Sequence, residues 1–518
     1  MNGAQALLRT LVGAGVRVCF TNPGTSEMHF VAALDEVPEM RAVLALFEGV
    51  ATGAADGYAR MAGQPAATLL HLGPGLGNGL ANLHNAAKGR SGVVNIVGDH
   101  ATYHARYDAP LQSDIATVAR NVSGWVRTPQ TTAELPGVAA EAVAVASGPP
   151  GQVATLILPA DVSWEDGAEP ALPAEPPKPA MVEQEVVRQI AAVLGGGNRT
   201  ALLLGGRALQ ERGLLAAAKI AAACGVRVLA ETFPARLERG AGLPGVDRLA
   251  YLAEFATTQL ADLDDLVLVD AKEPVSFFAY PGKPSRLAPD GCRIHRLTGG
   301  TDDVPGALEA LVETADATGA APAVQQPVTP QLPSGPLSAQ KVCQAIGAVL
   351  PPGAIISDEA QTSGIFLAAA TAGAPRHDLL CLTGGSIGQG LPVAVGAAVA
   401  CPDRPVIALE ADGSALYTPQ ALWTMARENL DVTVVLFNNR SYAVLNMELD
   451  RVGAGSPGPR AKTQLDLSEP PVDFVALASG LGVPASRPDT AEELLADLRR
   501  ALAEPGPHLI EAVIPPIF

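Results

Sequence analysis

The stretch LEADGSALYTPQALWTMARENLDVTVVLFNN, residues 409–439, contains two apolar runs separated by a helical pattern. An Asp-Gly-Ser follows the first run, and an Asn-Asn follows the second. The runs at 405–410 and 432–437 predict two strands, and the segment between them predicts a helix. Because a right-handed crossover makes such strands parallel, Asp412 and Asn439 should both lie at carboxyl ends of strands, where open α/β sheets bind ligands.

The same alternation of short Val-, Ile- and Leu-rich runs with helical patterns continues along all 518 residues. Uninterrupted apolar runs between helices indicate parallel strands that are buried on both faces. Two Pro- and Ala-rich stretches, 165–183 and 315–337, predict linkers. We therefore predict an α/β fold with three doubly wound parallel-sheet domains, at 1–164, 184–314 and 338–518.

Composition excludes several classes of function. The formal charge of −18 argues against a nucleic-acid partner or an anionic membrane, because both require basic patches. None of the six cysteines forms a CxxC pair, so neither a zinc site nor a disulfide framework is predicted. The first twenty residues lack the pattern of a secretion signal, and no apolar run is long enough for a membrane span. We expect a soluble, cytoplasmic protein.

The Asp-Gly-Ser and Asn-Asn pair is suited to a metal and a phosphate. Asn439 follows Asp412 by 27 residues, enough for one strand–helix–strand unit. A hard dication such as Mg²⁺ takes oxygen ligands and retains bonds to substrate or cofactor phosphates. Gly413 would let the backbone approach a phosphate, and Ser414 would offer its N–H and hydroxyl at a helix start. An ordinary strand–turn–helix with a capping Asp is the alternative for Asp-Gly-Ser alone.

At these residues the sequence resembles the thiamine-diphosphate-dependent enzymes, in which a GDG(S) and an NN at this spacing anchor Mg²⁺ and the cofactor's diphosphate. The resemblance implies that the metal ligands are Asp412, Asn439 and the main-chain carbonyl of Ser441, with Tyr442 beside the cofactor. The first Gly of the family's motif is replaced here by Ala411.

A second part of the site is predicted in LALFEGVATGAADGYARMAG, residues 44–63. Glu48 is the only charged residue between Val43 and Thr52, where a strand leads into a helix. The resemblance implies that Glu48 exchanges a proton with the aminopyrimidine ring of the cofactor. Its alternative role is that of an acid at a helix N-terminus, which the helix dipole favours.

Two further segments match the family. GGSIGQGLPVAVGAA, residues 384–398, resembles the segment beneath the bent cofactor, which implies that Ile387 lies between its rings and that Gly385 holds its amino group. DEAQTSG, residues 358–364, occupies the place of a diphosphate-contacting loop. That position makes two more residues candidates for cofactor binding, Gln361 and Thr362.

GPGLGNG, residues 73–79, imitates a dinucleotide fingerprint but lacks the G-x-G-x-x-G spacing, so it supports a nicotinamide site only weakly. The family instead places a Gly-rich turn beside the substrate pocket, with Asn78 nearby. The middle block carries no fingerprint that demands FAD, and we do not expect a flavin.

The resemblance implies that the substrate is a 2-oxo acid, but different segments resemble two different members of the family. NPGTSEMHF, residues 22–30, looks most like benzoylformate decarboxylase, whereas NIVGDHATYHARYDAPLQSDI, residues 95–115, occupies the place of a segment shared with acetolactate synthase and pyruvate oxidase. In the decarboxylase pattern a Ser and a His contact the substrate. The residues in those places here are Thr25, with Ser26 beside it, and His71.

One departure from the decarboxylase keeps the reaction open. That enzyme contributes a second His from its middle domain, but EPVSFFAYPGK, residues 273–283, contains none and offers Phe277 and Phe278 as an apolar wall. His100 and His104 could substitute, which would favour a decarboxylase, or a second carbonyl compound could intercept the intermediate, which would favour an acetolactate-synthase-like carboligase.

Two alternatives from other classes remain. One is a degenerate paralogue that binds cofactor as a structural or partner subunit, against which the intact Glu48, Asp412 and Asn439 argue. The other is a nicotinamide dehydrogenase. In the resembled family the site forms between the first domain of one subunit and the third domain of another. We therefore expect a homodimer at minimum, and a homotetramer built from two dimers.

Overall fold

The computed structural model of the chain describes residues 1–455 and 458–517. Within these residues the chain forms three β-sheets, each built of strands that alternate with helices. The predicted fold class of three parallel-sheet α/β domains is confirmed. Over the same two ranges, the structure contains no helix whose length and apolarity would suffice to cross a bilayer.

The first sheet has six parallel strands in the order β2-β1-β3-β4-β6-β5. Its strands are β1 (Val18–Asn22), β2 (Arg41–Leu44), β3 (Ala66–Leu70), β4 (Val93–Asp99), β5 (Trp125–Arg127) and β6 (Val153–Pro159). Its helices are α1 (Gly3–Gly13), α2 (Met28–Ala33), α3 (Glu48–Ala62), α4 (Leu72–Gly89), α5 (Ile115–Ala119), α6 (Leu135–Ser147) and α7 (Ala160–Trp164).

The second sheet has five parallel strands in the order β10-β8-β7-β11-β12. The strands of this part of the chain are β7 (Thr200–Leu204), β8 (Arg227–Ala230), β9 (Leu237–Arg239), β10 (Asp247–Arg248), β11 (Asp265–Val269) and β12 (Arg293–Thr298). The helices are α8 (Gln184–Gly195), α9 (Glu211–Cys224), α10 (Ala253–Leu260) and α11 (Val304–Thr314). The strand order reverses at β7, which makes the crevice between β7 and β11 a topological switch point.

The third sheet has seven strands in the order β17-β18-β16-β15-β13-β14-β9. Its own strands are β13 (Ile355–Glu359), β14 (His377–Cys381), β15 (Val406–Ala411), β16 (Val432–Asn438), β17 (Ala485–Ser486) and β18 (His508–Val513). Its helices are α12 (Ala339–Val349), α13 (Leu367–Ala370), α14 (Gly390–Ala400), α15 (Asp412–Ala415), α16 (Gln420–Arg427), α17 (Ala443–Arg451), α18 (Pro459–Lys462), α19 (Phe474–Gly480) and α20 (Ala491–Ala503). The seventh strand, β9, comes from the middle of the chain and pairs antiparallel with β14.

The first and third sheets share one apolar core, formed where α3 packs against α14. Glycines set the closeness of this contact. A Cβ on Gly57 would lie 2.2 Å from the carbonyl oxygen of Val393, and a Cβ on Gly396 would lie 1.9 Å from that of Ala54. Both distances are below any real contact, so a larger residue at either position would push the two helices apart.

Candidate active site

Asp412 and Asn439 lie at the same edge of the third sheet. β15 ends at Ala411 and β16 ends at Asn438, and Ala411 is aligned with Phe437 in the register of these neighbouring parallel strands. The residue after each strand therefore emerges at the carboxyl edge. The sheet brings together an acid and an amide that are 27 residues apart in the chain.

The Asp412 carboxylate is buried and only partly satisfied. Its Oδ1 accepts a hydrogen bond from the Gly413 N–H at 2.9 Å, whereas its Oδ2 has no partner among the described residues. Burial raises the pKa of Asp412 to about 6, and the backbone N–H groups of Gly413, Arg440 and Ser441 act in the opposite direction. A buried carboxylate oxygen without a partner is costly, and a bound cation would remove that cost.

The Asn439 side chain sits on a tight turn that faces this carboxylate. Arg440 has a left-handed backbone with φ of +55°, and the Asn439 Oδ1 accepts the Ser441 N–H at 3.0 Å. Asp412, Asn439 and the Ser441 carbonyl offer only oxygen ligands, which suit Mg²⁺. The described residues contain no cluster of three or more His, Cys, Asp or Glu arranged for a metal, so no competing site of that kind appears there.

Gly413 and Ser414 follow Asp412 at the start of α15. A Cβ on Gly413 would lie 2.5 Å from the Tyr442 ring, so this position requires glycine while Tyr442 stays in place. The Ser414 hydroxyl is already used, because it donates to Glu410 Oε2 at 3.1 Å. The part of Ser414 that remains available for a phosphate is its backbone N–H.

Two buried acids that the sequence analysis missed lie beneath this edge. Glu359 on β13 is aligned with Glu410 on β15, and both are almost fully buried. Glu359 accepts the N–H groups of Gly388 at 2.8 Å and Gly390 at 2.5 Å. Burial raises the pKa of Glu359 to about 7, and burial together with Glu359 raises that of Glu410 well above its usual range. The sequence does contain a sign of these two acids, because each is a charged residue at or near the end of a predicted apolar strand.

In the segment before α14, residues 384–389, the backbone at Gly385 has free space beside it, and the backbone of Ser386 and Gly388 is hydrogen-bonded to α4. Gly385 has φ of +76° with no atom near the position of a Cβ, and Ile387 is half-buried. Asn85 of α4 bonds both backbone groups of Ser386, with Nδ2 donating to its carbonyl at 2.7 Å. Asn82 donates to the Gly388 carbonyl at 3.1 Å. Helix α4 of the first sheet thus fixes this loop of the third.

Gln361 and Thr362 begin a short 3-10 helix, Gln361–Phe366, one residue after the end of β13. Gln361 has a left-handed backbone with φ of +51°, and Thr362 is buried. Because β13 is the neighbour of β15, this turn lies at the same edge as Asp412.

Glu48 is the first residue of α3 and is 6% exposed. Its Oε2 accepts a hydrogen bond from Asn78 Nδ2 at 3.0 Å. The start of α3 is also tied to the third sheet, because Asn82 donates to the carbonyls of both Gly49 and Gly388. The predicted position of Glu48, between a strand and a helix, agrees with the structure.

The expectation of a Gly-rich turn at residues 73–79 is wrong, because these residues form the first turns of α4. The glycines serve close packing rather than chain reversal. A Cβ on Gly75 would lie 3.0 Å from Glu48 Oε1, and one on Gly79 would lie 2.9 Å from the Thr52 side chain. This helix therefore approaches α3 closely enough for Asn78 to reach Glu48.

His71 forms a pair with a fully buried acid, Glu27. Its Nδ1 lies 2.8 Å from Glu27 Oε2, which also accepts the Gly24 N–H at 2.7 Å. A Cβ on Gly24 would lie 2.3 Å from the imidazole, and one on Gly98 would lie 1.6 Å from Glu27 Oε1. Burial raises the pKa of Glu27, and Gly24 and His71 act against that rise. The ring is therefore held by one nitrogen, and its side chain is a quarter exposed.

Thr25 and Ser26 begin the turn Thr25–Glu27 that carries this acid. Thr25 is exposed and Ser26 is half-buried. They follow β1, whose neighbour β3 ends just before His71, so the three residues lie at one edge of the first sheet.

His100 and His104 lie beyond the end of β4 at the same edge, with ring centroids 5.3 Å apart. The His100 Nε2 is buried without a partner among the described residues. Of the aromatic residues of the middle segment, Phe277 packs against Tyr251 and Phe233, and Phe278 is 59% exposed.

Comparison with known proteins identifies the family. Residues 1–119 match the family model of the thiamine pyrophosphate enzyme N-terminal TPP binding domain. Residues 361–512 match the family model of the C-terminal TPP binding domain. The chain is 59% identical, over 99% of both lengths, to a Mycobacterium tuberculosis protein named "Putative acetolactate synthase large subunit IlvX". It is 30% identical, over 96% of both lengths, to a benzoylformate decarboxylase of Pseudomonas aeruginosa.

A solved structure agrees with these relatives. The thiamine diphosphate-dependent 4-hydroxybenzoylformate decarboxylase of Rhodococcus jostii RHA1 superposes with a TM-score of 0.86 and 25% identity, covering 99% of each chain. With both TPP binding domains matched and relatives aligned along nearly the whole chain, this protein belongs to the family of thiamine pyrophosphate enzymes.

Proposed function

We propose that this protein uses thiamine diphosphate and Mg²⁺ to cleave or form a carbon–carbon bond at the carbonyl group of a 2-oxo acid. The observation that carries the proposal is the buried Asp412 Oδ2, which has no partner among the described residues and lies at a sheet edge rich in oxygen ligands. The names of the relatives, acetolactate synthase and benzoylformate decarboxylase, support the substrate class.

Asp412, Asn439 and the Ser441 carbonyl would hold the metal, whose positive charge would offset the negative charge of the diphosphate. The backbone of Gly413 and Ser414, together with Gln361 and Thr362, would surround that diphosphate. Tyr442 would flank it. The open backbone at Gly385 and the half-buried Ile387 would support the rest of the coenzyme.

Glu48 would hold and move a proton at the aminopyrimidine ring. It is buried at a helix start, and its Oε2 is oriented by Asn78. A positioned acid–base group of this kind contributes about 10²–10⁴-fold to a rate. When bound, thiamine diphosphate supplies the electron sink for breaking or making the bond to the substrate's carbonyl carbon.

His71 would move a proton at the substrate. With Nδ1 facing Glu27, the tautomer that carries its proton on Nδ1 leaves Nε2 as the group that meets the substrate. Thr25 and Ser26 supply hydroxyl groups at the same edge. When Nε2 takes up a proton from water, His71 could deliver it after carbon dioxide leaves, and this arrangement favours decarboxylation with release of an aldehyde.

Carboligation is the second candidate, and a specific observation favours it. Residues 273–283 supply no histidine, and Phe277 and Phe278 are largely exposed on their loop. The imidazoles near the site, those of His71, His100 and His104, therefore all come from the first sheet, and the middle segment adds no proton donor of this kind. A second carbonyl compound could then react before protonation, which would give a 2-hydroxyketone or acetolactate.

We further propose that the active unit is at least a homodimer. Large apolar side chains near both edges are exposed in the single chain, as an interface would require: Leu46, Ile365, Leu416 and Tyr417. Two such dimers would form a tetramer. Sedimentation of the active enzyme tests this, and an active monomer would contradict it.

Product analysis tests the reaction. The purified protein, supplied with thiamine diphosphate and MgCl₂, is fed pyruvate, benzoylformate and branched 2-oxo acids. An aldehyde with carbon dioxide identifies a decarboxylase, whereas acetolactate or a 2-hydroxyketone identifies a carboligase. Cofactor binding without consumption of any 2-oxo acid would contradict the proposal and favour a structural or partner subunit.

A further inference from the structure

The first residue of the Asn-Asn pair, Asn438, is almost fully buried and uses both ends of its amide. Its Oδ1 accepts the backbone N–H of Arg440 at 3.2 Å, and its Nδ2 donates to Glu511 Oε1 at 2.7 Å. The side chain therefore connects a carboxylate of the next strand to the turn that carries Asn439 and Ser441.

Glu511 is a buried acid on β18, 1% exposed, in a sheet position that faces Asn438. Glu511 is aligned with Leu436 in the register of β16 and β18, and Asn438 is two residues further along the same face. Its second oxygen accepts Arg487 Nε at 2.7 Å. Each carboxylate oxygen thus has one donor, and the exposed Arg487 supplies the opposite charge.

The turn held by this chain of contacts has an unfavourable backbone. Arg440 has φ of +55°, a region that residues other than glycine adopt at a cost. The bond from the Arg440 N–H to Asn438 is a local contact that stabilises this conformation. On either side of Arg440 stand Asn439 and Ser441, the two residues that would bind the metal opposite Asp412.

We propose that Glu511 is a positioning residue that acts through Asn438: it fixes the 438–441 turn so that the Asn439 amide oxygen and the Ser441 carbonyl oxygen are presented together to Mg²⁺. This inference rests on the proposed magnesium site. Groups that orient metal ligands from behind change metal affinity by about 10–100-fold when they are removed. Glu511 itself contacts neither the metal nor the substrate.

A reversal of the hydrogen bond tests the proposal. Asn438→Asp removes the donor and places two carboxylates in contact, so the affinity for Mg²⁺ should fall about 10–100-fold. Adding Glu511→Gln to this variant restores a donor–acceptor pair with its direction reversed, and the amide oxygen can still accept from Arg487. The double variant should therefore recover most of the lost affinity.

The measurement is calorimetric titration of MgCl₂ into the full-length protein with saturating thiamine diphosphate, so it does not depend on turnover. The matched control is Asn198→Asp in the second sheet, where Asn198 Nδ2 donates to buried Asp265 at 3.0 Å and Arg293 Nε donates to the same acid at 2.8 Å. This control meets a similar charge conflict far from the turn and should leave Mg²⁺ affinity unchanged.

Arg487→Gln removes the exposed member of the hydrogen-bonded series Arg487–Glu511–Asn438. We expect a smaller loss of Mg²⁺ affinity in this variant than in Asn438→Asp. Unchanged affinity in Asn438→Asp, no recovery in the double variant, or an equal loss in Asn198→Asp would each overturn the positioning role. A wild-type protein that binds no Mg²⁺ with thiamine diphosphate would contradict the proposed function instead.

Discussion

The carboxyl edges of the second and third sheets are built from similar parts but leave their polar groups in opposite states. At the third edge, Asp412 Oδ2 has no partner among the described residues and the backbone at Gly385 is open. At the second edge, the Gly206 N–H donates to Glu231 at 3.0 Å and the Arg207 N–H donates to Asp270 at 3.1 Å.

A residue of the first domain also binds to the polar groups of the second edge. Arg90, at the end of α4, forms an ion pair with Asp270 and donates to its backbone carbonyl at 3.1 Å. Carboxylates thus occupy the N–H groups that a phosphate would need at this switch point. The difference teaches that the strand order alone does not make a ligand site, since the polar groups at the edge must also be left available.

The largest effect that would sharpen this comparison is expected for Asp412→Ala. The substitution removes the only anionic protein ligand from the proposed metal site. The affinity for thiamine diphosphate in MgCl₂ should therefore fall by more than about 100-fold, which exceeds the loss of metal affinity seen when a residue behind a ligand is removed. Calorimetry measures it. Asp270→Ala at the second edge should bind the cofactor as the wild type does, and equal losses in both variants would break the comparison.

Glu48→Gln should separate binding from activation. The amide keeps the shape of the side chain, so cofactor affinity should persist, while exchange of the cofactor's C2 proton should slow by about 10²–10⁴-fold. Proton NMR in deuterium oxide follows that exchange. Glu231→Gln is the matched change at the second edge and should exchange at the wild-type rate; exchange at that rate in Glu48→Gln would remove Glu48 from the mechanism.

Arg90→Ala should affect stability and not chemistry. It leaves the buried Asp270 carboxylate without its charged partner, which should lower the free energy of unfolding by about 1–3 kcal/mol. Urea denaturation followed by circular dichroism measures this change. Cofactor affinity at the third edge should stay as in the wild type, and a combined loss of both would show that the two edges are coupled.

A smaller effect, which depends on pH, is expected at β14, the strand that pairs with β9 in the third sheet. His377 at the start of β14 is buried, and burial lowers its pKa to about 4. The unfolded chain therefore binds this proton first as the pH falls below about 6.5, and the folded state should lose about 2 kcal/mol by pH 5. His377→Gln should flatten this part of the profile of melting temperature against pH; an unchanged slope would contradict the assignment.

The sequence predicted what depends on local pattern. The long apolar runs of β15 and β16 identified both strands, and the spacing of Asp412 and Asn439 placed these residues at one edge. The fold class is confirmed, whereas the domain boundaries and the roles of the site residues remain predictions. Strand β5 was not predicted because three residues at a sheet margin carry no periodic signal.

Contacts between distant segments were beyond the reach of local pattern. The alignment of Glu359 with Glu410, and the approach of Glu511 to Asn438, depend on which strands become neighbours. The family resemblance implied a Gly-rich turn at GPGLGNG, but these residues form a helix with glycines at its contact points against α3.

Strand β9 has a consequence for how this molecule can be taken apart. Leu237–Arg239 belongs to the middle of the chain but covers the free margin of β14 in the third sheet. Excision of residues 184–314 as a cassette would uncover the N–H and C=O groups of β14 and create a surface prone to self-association. Grafting the middle segment from a relative should therefore retain Leu237–Arg239 together with its host sheet.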